Sequence, residues 1–215
     1  MKEIADFVNH QGTRIFVTQY VPENVIGQLL LCAPVFEERK ASHRTMVNMA
    51  RTLCSFGFHT VSFDYRGCGD SEGNFEDFSP ADWIADVSFV YKIIKNVRSG
   101  VPLGIIGLRF GSTIIFNNFK LLGKLSFAIA WEPITDGNRY IANELRKKLV
   151  REMITAGKTC STRTNLISKL ENDMCVDFDG YNISSAFYKS LKSVSYTHLR
   201  AHETPEHLVC RLLLE

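Results

Sequence analysis

The chain has no apolar run near the roughly 18 to 20 residues that cross a bilayer, so no membrane-spanning helix is expected. Residues 1–10 lack the apolar stretch of a secretory leader and carry Glu3 and Asp6 instead, so no signal peptide is expected. The six cysteines (Cys32, Cys54, Cys68, Cys160, Cys175 and Cys210) are scattered, with no Cys-x-x-Cys pair. That spacing argues against a disulfide framework, and reduced thiols in a cytoplasmic protein are expected. No metal and no cofactor is expected. Neither sign of charge dominates: 25 Lys and Arg stand against 23 Asp and Glu, a formal charge of +2, well interspersed. A nucleic-acid partner would call for a basic stripe or arm, and none is present. There are no internal repeats and no low-complexity tracts. What remains is 215 residues, 45% hydrophobic, enough for one domain with a full core and a small insertion.

Residues 14–20 and 25–33 are apolar, β-branched runs separated by Pro22, Glu23 and Asn24, and read as two neighbouring strands. A polar loop follows at 34–40. Ser42 is placed to cap a helix running to about Phe56, with Met46, Met49, Ala50 and Leu53 on one face. A strand at 59–65 feeds a glycine-rich loop at 66–73. Ser79 and Pro80 open a second helix to about Val97, with Trp83, Val87, Val90 and Ile94 as its apolar stripe. Then come a strand at 102–106, a tight glycine turn at 107–111, a helix at 112–122 and a strand at 125–131. Strand alternating with helix predicts a mostly parallel sheet covered on both faces, with ligands at the carboxyl ends of the strands. After Trp131 the alternation stops. A basic amphipathic helix is expected at 140–155. Residues 165–191 read as mixed, with a β-like piece at 175–178 and a helical finish at 184–191.

Four segments carry a resemblance. LLLCAPVFEERKASHR is similar to the loop after the third sheet strand of α/β-hydrolases. FDYRGCGDSEG is similar to the D-x-R-G-x-G-x-S loop of their lipase and serine-aminopeptidase-like branch. GLRFG, at 107–111, stands where the nucleophile elbow G-x-S-x-G belongs. WEPITDGNRY with the basic helix, then DFDGYNISSAFYKSL, looks like a cap. Together, over roughly residues 12–193, they resemble exosortase A system-associated hydrolases, in particular the subgroup with Arg in the elbow. The resemblance implies an α/β-hydrolase fold with a mostly parallel sheet and a small cap, here truncated at the C-terminus. It implies a core over 1–133 and a cap over 134–193. It also implies a bacterial setting linked to exopolysaccharide and exosortase systems. Residues 194–215 closely resemble a translated sequencing adapter, an artefactual tail set aside from functional reasoning; the other reading is an amphipathic C-terminal helix bearing Leu208, Leu212 and Leu213.

The central elbow position is Arg109, not serine. Gly107 and Gly111 fit the steric role of the elbow glycines. Arginine is always protonated and is no nucleophile, so no acyl-enzyme forms on it. Three roles stay open: a structural ion pair with Glu37 or Glu38, binding of an anion at a helix N-terminus, or another part in catalysis. Backbone N–H groups of Phe36 and Phe110 occupy the expected oxyanion-hole positions, and Glu37 or Glu38 is a candidate base for water. Asp64, Gly67, Gly69 and Ser71, with Asp70, are read as supports of the 66–73 loop. Ser112 is expected to face away from the turn. A triad needs an acid and then a His after the elbow, yet no histidine lies between Gly111 and Ser193. Two functions follow. One is an ester, thioester or acyl hydrolase with Arg109 in place of the serine. The other is a non-catalytic binding or scaffold protein that holds an anionic or glycan-related ligand. In both, the partner is a small acyl, ester or anionic molecule.

Overall fold

The computed structural model describes residues 1–98, 100–117, 122, 125–157, 161–192, 194 and 209–212. They form two compact units, Met1–Gly73 with Ala81–Pro133 and Arg200–Glu215, and Asn74–Pro80 with Ile134–Leu199.

The first unit is built on a twisted sheet. Strands β1 (Lys2–His10) and β2 (Thr13–Val21) form an antiparallel hairpin in which Lys2 faces Val21 and His10 faces Thr13. Gln11 and Gly12 both take positive φ at the turn, the pairing that matches strand twist. Sequence pattern missed β1 because it is an edge strand, exposed at most positions, with no buried stripe to reveal it. Next come β3 (Gly27–Cys32), α1 (Phe36–Ser55), β4 (Phe58–Phe63), α2 (Pro80–Val97), β5 (Leu103–Leu108), α3 (Phe110–Asn117) and β6 (Phe127–Trp131). A last strand, Val209–Leu212, pairs antiparallel with β6; it is named β9 below, after two short strands of the second unit. The sheet order is β1-β2-β4-β3-β5-β6-β9, and β4, β3, β5 and β6 run parallel.

This order corrects one expectation. β2 and β3 are not neighbours: β4 lies between them, pairing with both. Both edges of β3 are taken by parallel partners, so every residue of β3 and of β5 is buried. Each fully buried leucine of β3 contributes roughly 1.5–3 kcal/mol. Leu29 and Leu31 pack on Met46, Ala50 and Cys54 of α1. Helix α2 buries Trp83, Val87, Val90, Tyr91 and Ile94, and the Trp83 ring meets those of Tyr65 and Phe110. From β3 the chain passes to β4 and then returns across β3 to β5. Its direction therefore switches between β3 and β5, which opens a crevice at their carboxyl ends.

Helix α1 starts at Phe36, six residues before the expected cap at Ser42. The 34–40 segment is thus mostly helix, with Glu37 and Glu38 in a first turn that favours acidic side chains. Ser42 instead bonds the Arg39 carbonyl within the helix. The third helix begins two residues earlier than predicted, at Phe110; its expected end at 118–121 lies outside the described residues.

The second unit holds a 3-10 turn (Phe75–Asp77), α4 (Gly137–Ala156), α5 (Arg163–Glu171), the hairpin β7 (Val176–Phe178) with β8 (Tyr181–Ile183), and α6 (Ser185–Lys192). Asp136 caps α4 by accepting from the Arg139 N–H, and Thr162 caps α5 through Asn165 N–H. Its core includes Leu145, Leu166, Leu170, Phe178, Phe187 and Leu191. Helix α5 and β8 were not distinguished in the mixed 165–191 reading. The Asp179-Gly180 pair at the β7–β8 turn, both at positive φ, was the overlooked signal.

Of residues 194–215, 195–208 and 213–215 lie outside the described residues, as does Ser193. Residues 209–212 form β9 rather than the helix of the second reading. No described helix is long and apolar enough to cross a membrane.

Candidate functional site

Strand β5 runs straight into the turn at Arg109, and α3 begins on the next residue. Two glycines let strand and helix approach. A Cβ on Gly107 would sit 2.5 Å from the Ser112 nitrogen; on Gly111 it would strike the Cys32 and Ala33 carbonyls, the latter at 2.7 Å. Arg109 has φ +52°, a left-handed backbone that side chains other than Gly and Asn adopt at a cost. Phe36 (+55°) and Glu132 (+45°) share it. The three follow β3, β5 and β6, so strained backbone gathers where the parallel strands end.

The Arg109 N–H donates to the Trp131 carbonyl at 2.9 Å, tying the turn to the end of β6. Its guanidinium is held in two directions. Nε and Nη2 donate to Glu38 Oε1 at 3.2 and 3.0 Å, and Nη1 donates to the Glu132 carbonyl at 3.3 Å. Both side chains are partly open, 31% for Arg109 and 21% for Glu38. They line a cleft of about 470 Å³ with Ser42, Thr45, Trp131 and Glu132.

Of the two carboxylates named from the sequence, Glu38 joins Arg109. Glu37 does not; it pairs with Lys40 at 2.8 Å and is absent from the cleft wall. Phe36 and Phe110 are buried first residues of α1 and α3, one on each side of the β3–β5 switch. Ser112 is fully buried, and its hydroxyl donates to the carbonyls of Gly107 and Trp131. Glu132 was missed by the sequence reading, because its contribution is a backbone carbonyl presented by a left-handed residue.

The glycine-rich loop is fastened separately. Asp64 Oδ2 accepts from the Asp70 N–H at 2.9 Å, and Oδ1 meets Arg39. Ser71 donates to the Asp64 carbonyl at 2.6 Å and accepts from the Phe16 N–H. The Gly67 N–H closes the loop on the Glu72 carbonyl. A Cβ on Gly69, at φ +58°, would strike Arg39 and Asp64. Arg66, 4% exposed, donates through Nε to Asp86 Oδ1 at 2.6 Å and through its backbone N–H to Oδ2 at 3.0 Å. Burial pushes the Asp86 carboxyl up to about 6 against the pull of Arg66. Asp86 and Arg39 were not singled out from sequence; three positions separate Asp86 from Trp83, placing both on the buried side of α2. Burial pushes the Cys32 thiol up, and that of Cys68 to about 12. Both therefore stay protonated and unreactive. Among the described residues, no group of three or more His, Cys, Asp and Glu is placed to hold a metal ion.

No protein-family model matches the chain. Over 86 residues, 39% of the chain, it is 40% identical to lysophosphatidylserine lipase ABHD12 of Danio rerio. Over 89 residues, 40% of the chain, it is 37% identical to human protein ABHD12B. These matches span about a fifth of each relative, 21% and 22%. Among solved structures, Est1E of Butyrivibrio proteoclasticus with ferulic acid bound superposes with a TM-score of 0.61 at 17% identity, over 88% of this chain and 71% of that one. A monoglyceride lipase variant from Saccharomyces cerevisiae gives 0.58 at 16%, over 90% and 68%. XC6422 of Xanthomonas campestris, a serine hydrolase without lid, gives 0.55 at 22%, over 62% of each. The chain has the α/β-hydrolase fold.

Proposed function

We propose that the cleft beside Arg109 receives the anionic end of a small acyl, ester or glycan-related compound and holds it without covalent attack. The observation that carries this reading is the Arg109 guanidinium, set on the strained turn between β5 and α3 and steered by Glu38 and the Glu132 carbonyl. A permanently protonated group on that turn offers no electron pair to a carbonyl. It offers parallel N–H donors to a carboxylate or phosphate, beside a helix N-terminus whose dipole favours the same charge. Glu38 then acts as a resident counter-ion that the ligand displaces.

Hydrolysis of an ester, thioester or acyl bond is the second reading, favoured by the lipases among the similar proteins. In it, Glu38 activates water and the Phe36 and Phe110 N–H groups stabilise the oxyanion. The motif resemblance supports a bacterial setting linked to exopolysaccharide and exosortase systems, and the scattered cysteines support a cytoplasmic one. It also supports a core over 1–133 with an insertion over 134–193.

Two assays separate the readings. Turnover of p-nitrophenyl acetate and octanoate is followed for wild type, Arg109→Ala and Arg109→Ser, and acetate and phosphate binding is measured by calorimetry. The first reading requires no turnover, with anion binding abolished in Arg109→Ala. Wild-type turnover that vanishes in Arg109→Ala and Glu38→Gln establishes the second. Esterase activity gained in Arg109→Ser would show an acid, a base and an oxyanion hole already in place.

A further inference from the structure

Helix α4 carries apolar residues on two opposite sides. Ile141 and Leu145 are buried in the second unit. Val150, Met153 and Ile154 are 47%, 60% and 78% exposed. At about 100° per residue, Ile154 stands diametrically across the helix from Leu145, Val150 sits one turn back beside it, and Met153 borders the same outer side. These three are therefore surplus to the core of their own unit. The same outer side is basic: Arg146, Lys147 and Arg151 are exposed and interleave with the apolar residues, and the helix as a whole has five basic against two acidic residues. Lys147 is paired along the helix with Glu144, Lys148 with Glu152, and Arg151 with Asp179. Arg146 has no ion pair among the described residues.

From this juxtaposition we propose that the outer side of α4 docks on an anionic lipid surface, with Val150, Met153 and Ile154 entering the headgroup boundary and Arg146, Lys147 and Arg151 meeting lipid phosphates. Exposed aliphatic side chains ringed by Lys and Arg on an amphipathic helix are the pattern that lies in a membrane interface. The charge selects an anionic lipid surface over a neutral one. A protein partner could use the same aliphatic residues, but it would require acidic side chains matched to three separate basic positions, whereas a lipid surface supplies anions everywhere.

The test is co-sedimentation of the full chain with vesicles of phosphatidylcholine alone and with 30 mol% phosphatidylglycerol. Binding to the mixed vesicles and not to the neutral ones is expected, with loss in high salt. Arg146→Gln and Lys147→Gln should each weaken it about fivefold, and Met153→Ser with Ile154→Ser should abolish it. Phe56→Ser, which removes an exposed apolar side chain of the first unit (68% exposed), should leave it unchanged. Unaltered far-UV circular dichroism of the α4 variants shows that they are folded. Equal binding to both vesicle types, or binding retained in the double serine variant, overturns the proposal. So does self-association in light scattering that the double variant abolishes without vesicle binding by wild type.

Discussion

The guanidinium of Arg109 rests on the carboxylate of Glu38, Nη2 to Oε1 at 3.0 Å, across 71 residues of chain. One comes from the turn after β5 and the other from the first turn of α1. The sheet switch between β3 and β5 brings them to one crevice.

Removing Glu38 should free Arg109 for a ligand. A partly exposed ion pair contributes about 0–1 kcal/mol, so Glu38→Gln is expected to strengthen phosphate or acetate binding by roughly two- to fivefold. Calorimetry reads this directly; weaker binding in the variant would mean that Glu38 positions the guanidinium for the ligand and does not compete with it.

Arg109→Gly should hold its stability while losing binding. Glycine adopts φ +52° freely, which recovers about 1 kcal/mol, near what the lost pair contributes. Equilibrium urea unfolding should show a variant at least as stable as wild type. A loss above about 2 kcal/mol would show the guanidinium to be a structural clamp.

Gly111→Ala should destabilise strongly, by about 2–4 kcal/mol, because the new methyl meets two backbone carbonyls of the β3 end that have no rotamer to relax into. A urea midpoint within error of wild type would mean that β3 and α3 pack less tightly than these contacts imply.

Asp86→Ala should cost about 3–5 kcal/mol, since it leaves the Arg66 guanidinium buried without its carboxylate. Chemical denaturation checks it. A cost below 1 kcal/mol would mean that the Asp82 carbonyl and Gln11, which Arg66 also reaches, suffice.

His10 gives a pH signature. Its ring packs tilted against Phe89, 4.2 Å between centroids, and its buried Nε2 has no hydrogen-bond partner among the described residues, 4.0 Å from Asp86 Oδ1. Burial first, then the charges of Arg66 and Lys92, hold the imidazole below its ordinary range. The native state therefore prefers neutral His10 and the unfolded chain binds more protons, so its contribution is lost as pH falls below about 6.5. Asp86 trends the other way: with its carboxyl raised, its contribution is full below its ordinary range and is lost as pH rises through about 6. Unfolding free energies of wild type and His10→Gln between pH 7.5 and 5 isolate the histidine. Wild type should lose stability relative to the variant; parallel curves would refute the assignment.

Legible along the chain alone are the alternation of strand and helix through β6, the glycine-flanked turn with Arg109 at its centre, and the absence of a histidine from 112 to 192. These are local properties: a run of β-branched residues, a steric demand for Gly107 and Gly111, the identity of one side chain. Everything that depends on which segments meet was settled by the folded chain. It inserted β4 between β2 and β3, because parallel partners claimed both edges of β3. It drew the start of α1 back to Phe36, and so put Glu38 rather than Glu37 against Arg109. It placed the Glu132 carbonyl on the guanidinium and Asp86 under Arg66. An ion pair spanning 71 residues, or a carbonyl aimed by one left-handed residue, leaves no periodic trace along the chain, because its partners are set by the path of the sheet and not by their neighbours in sequence.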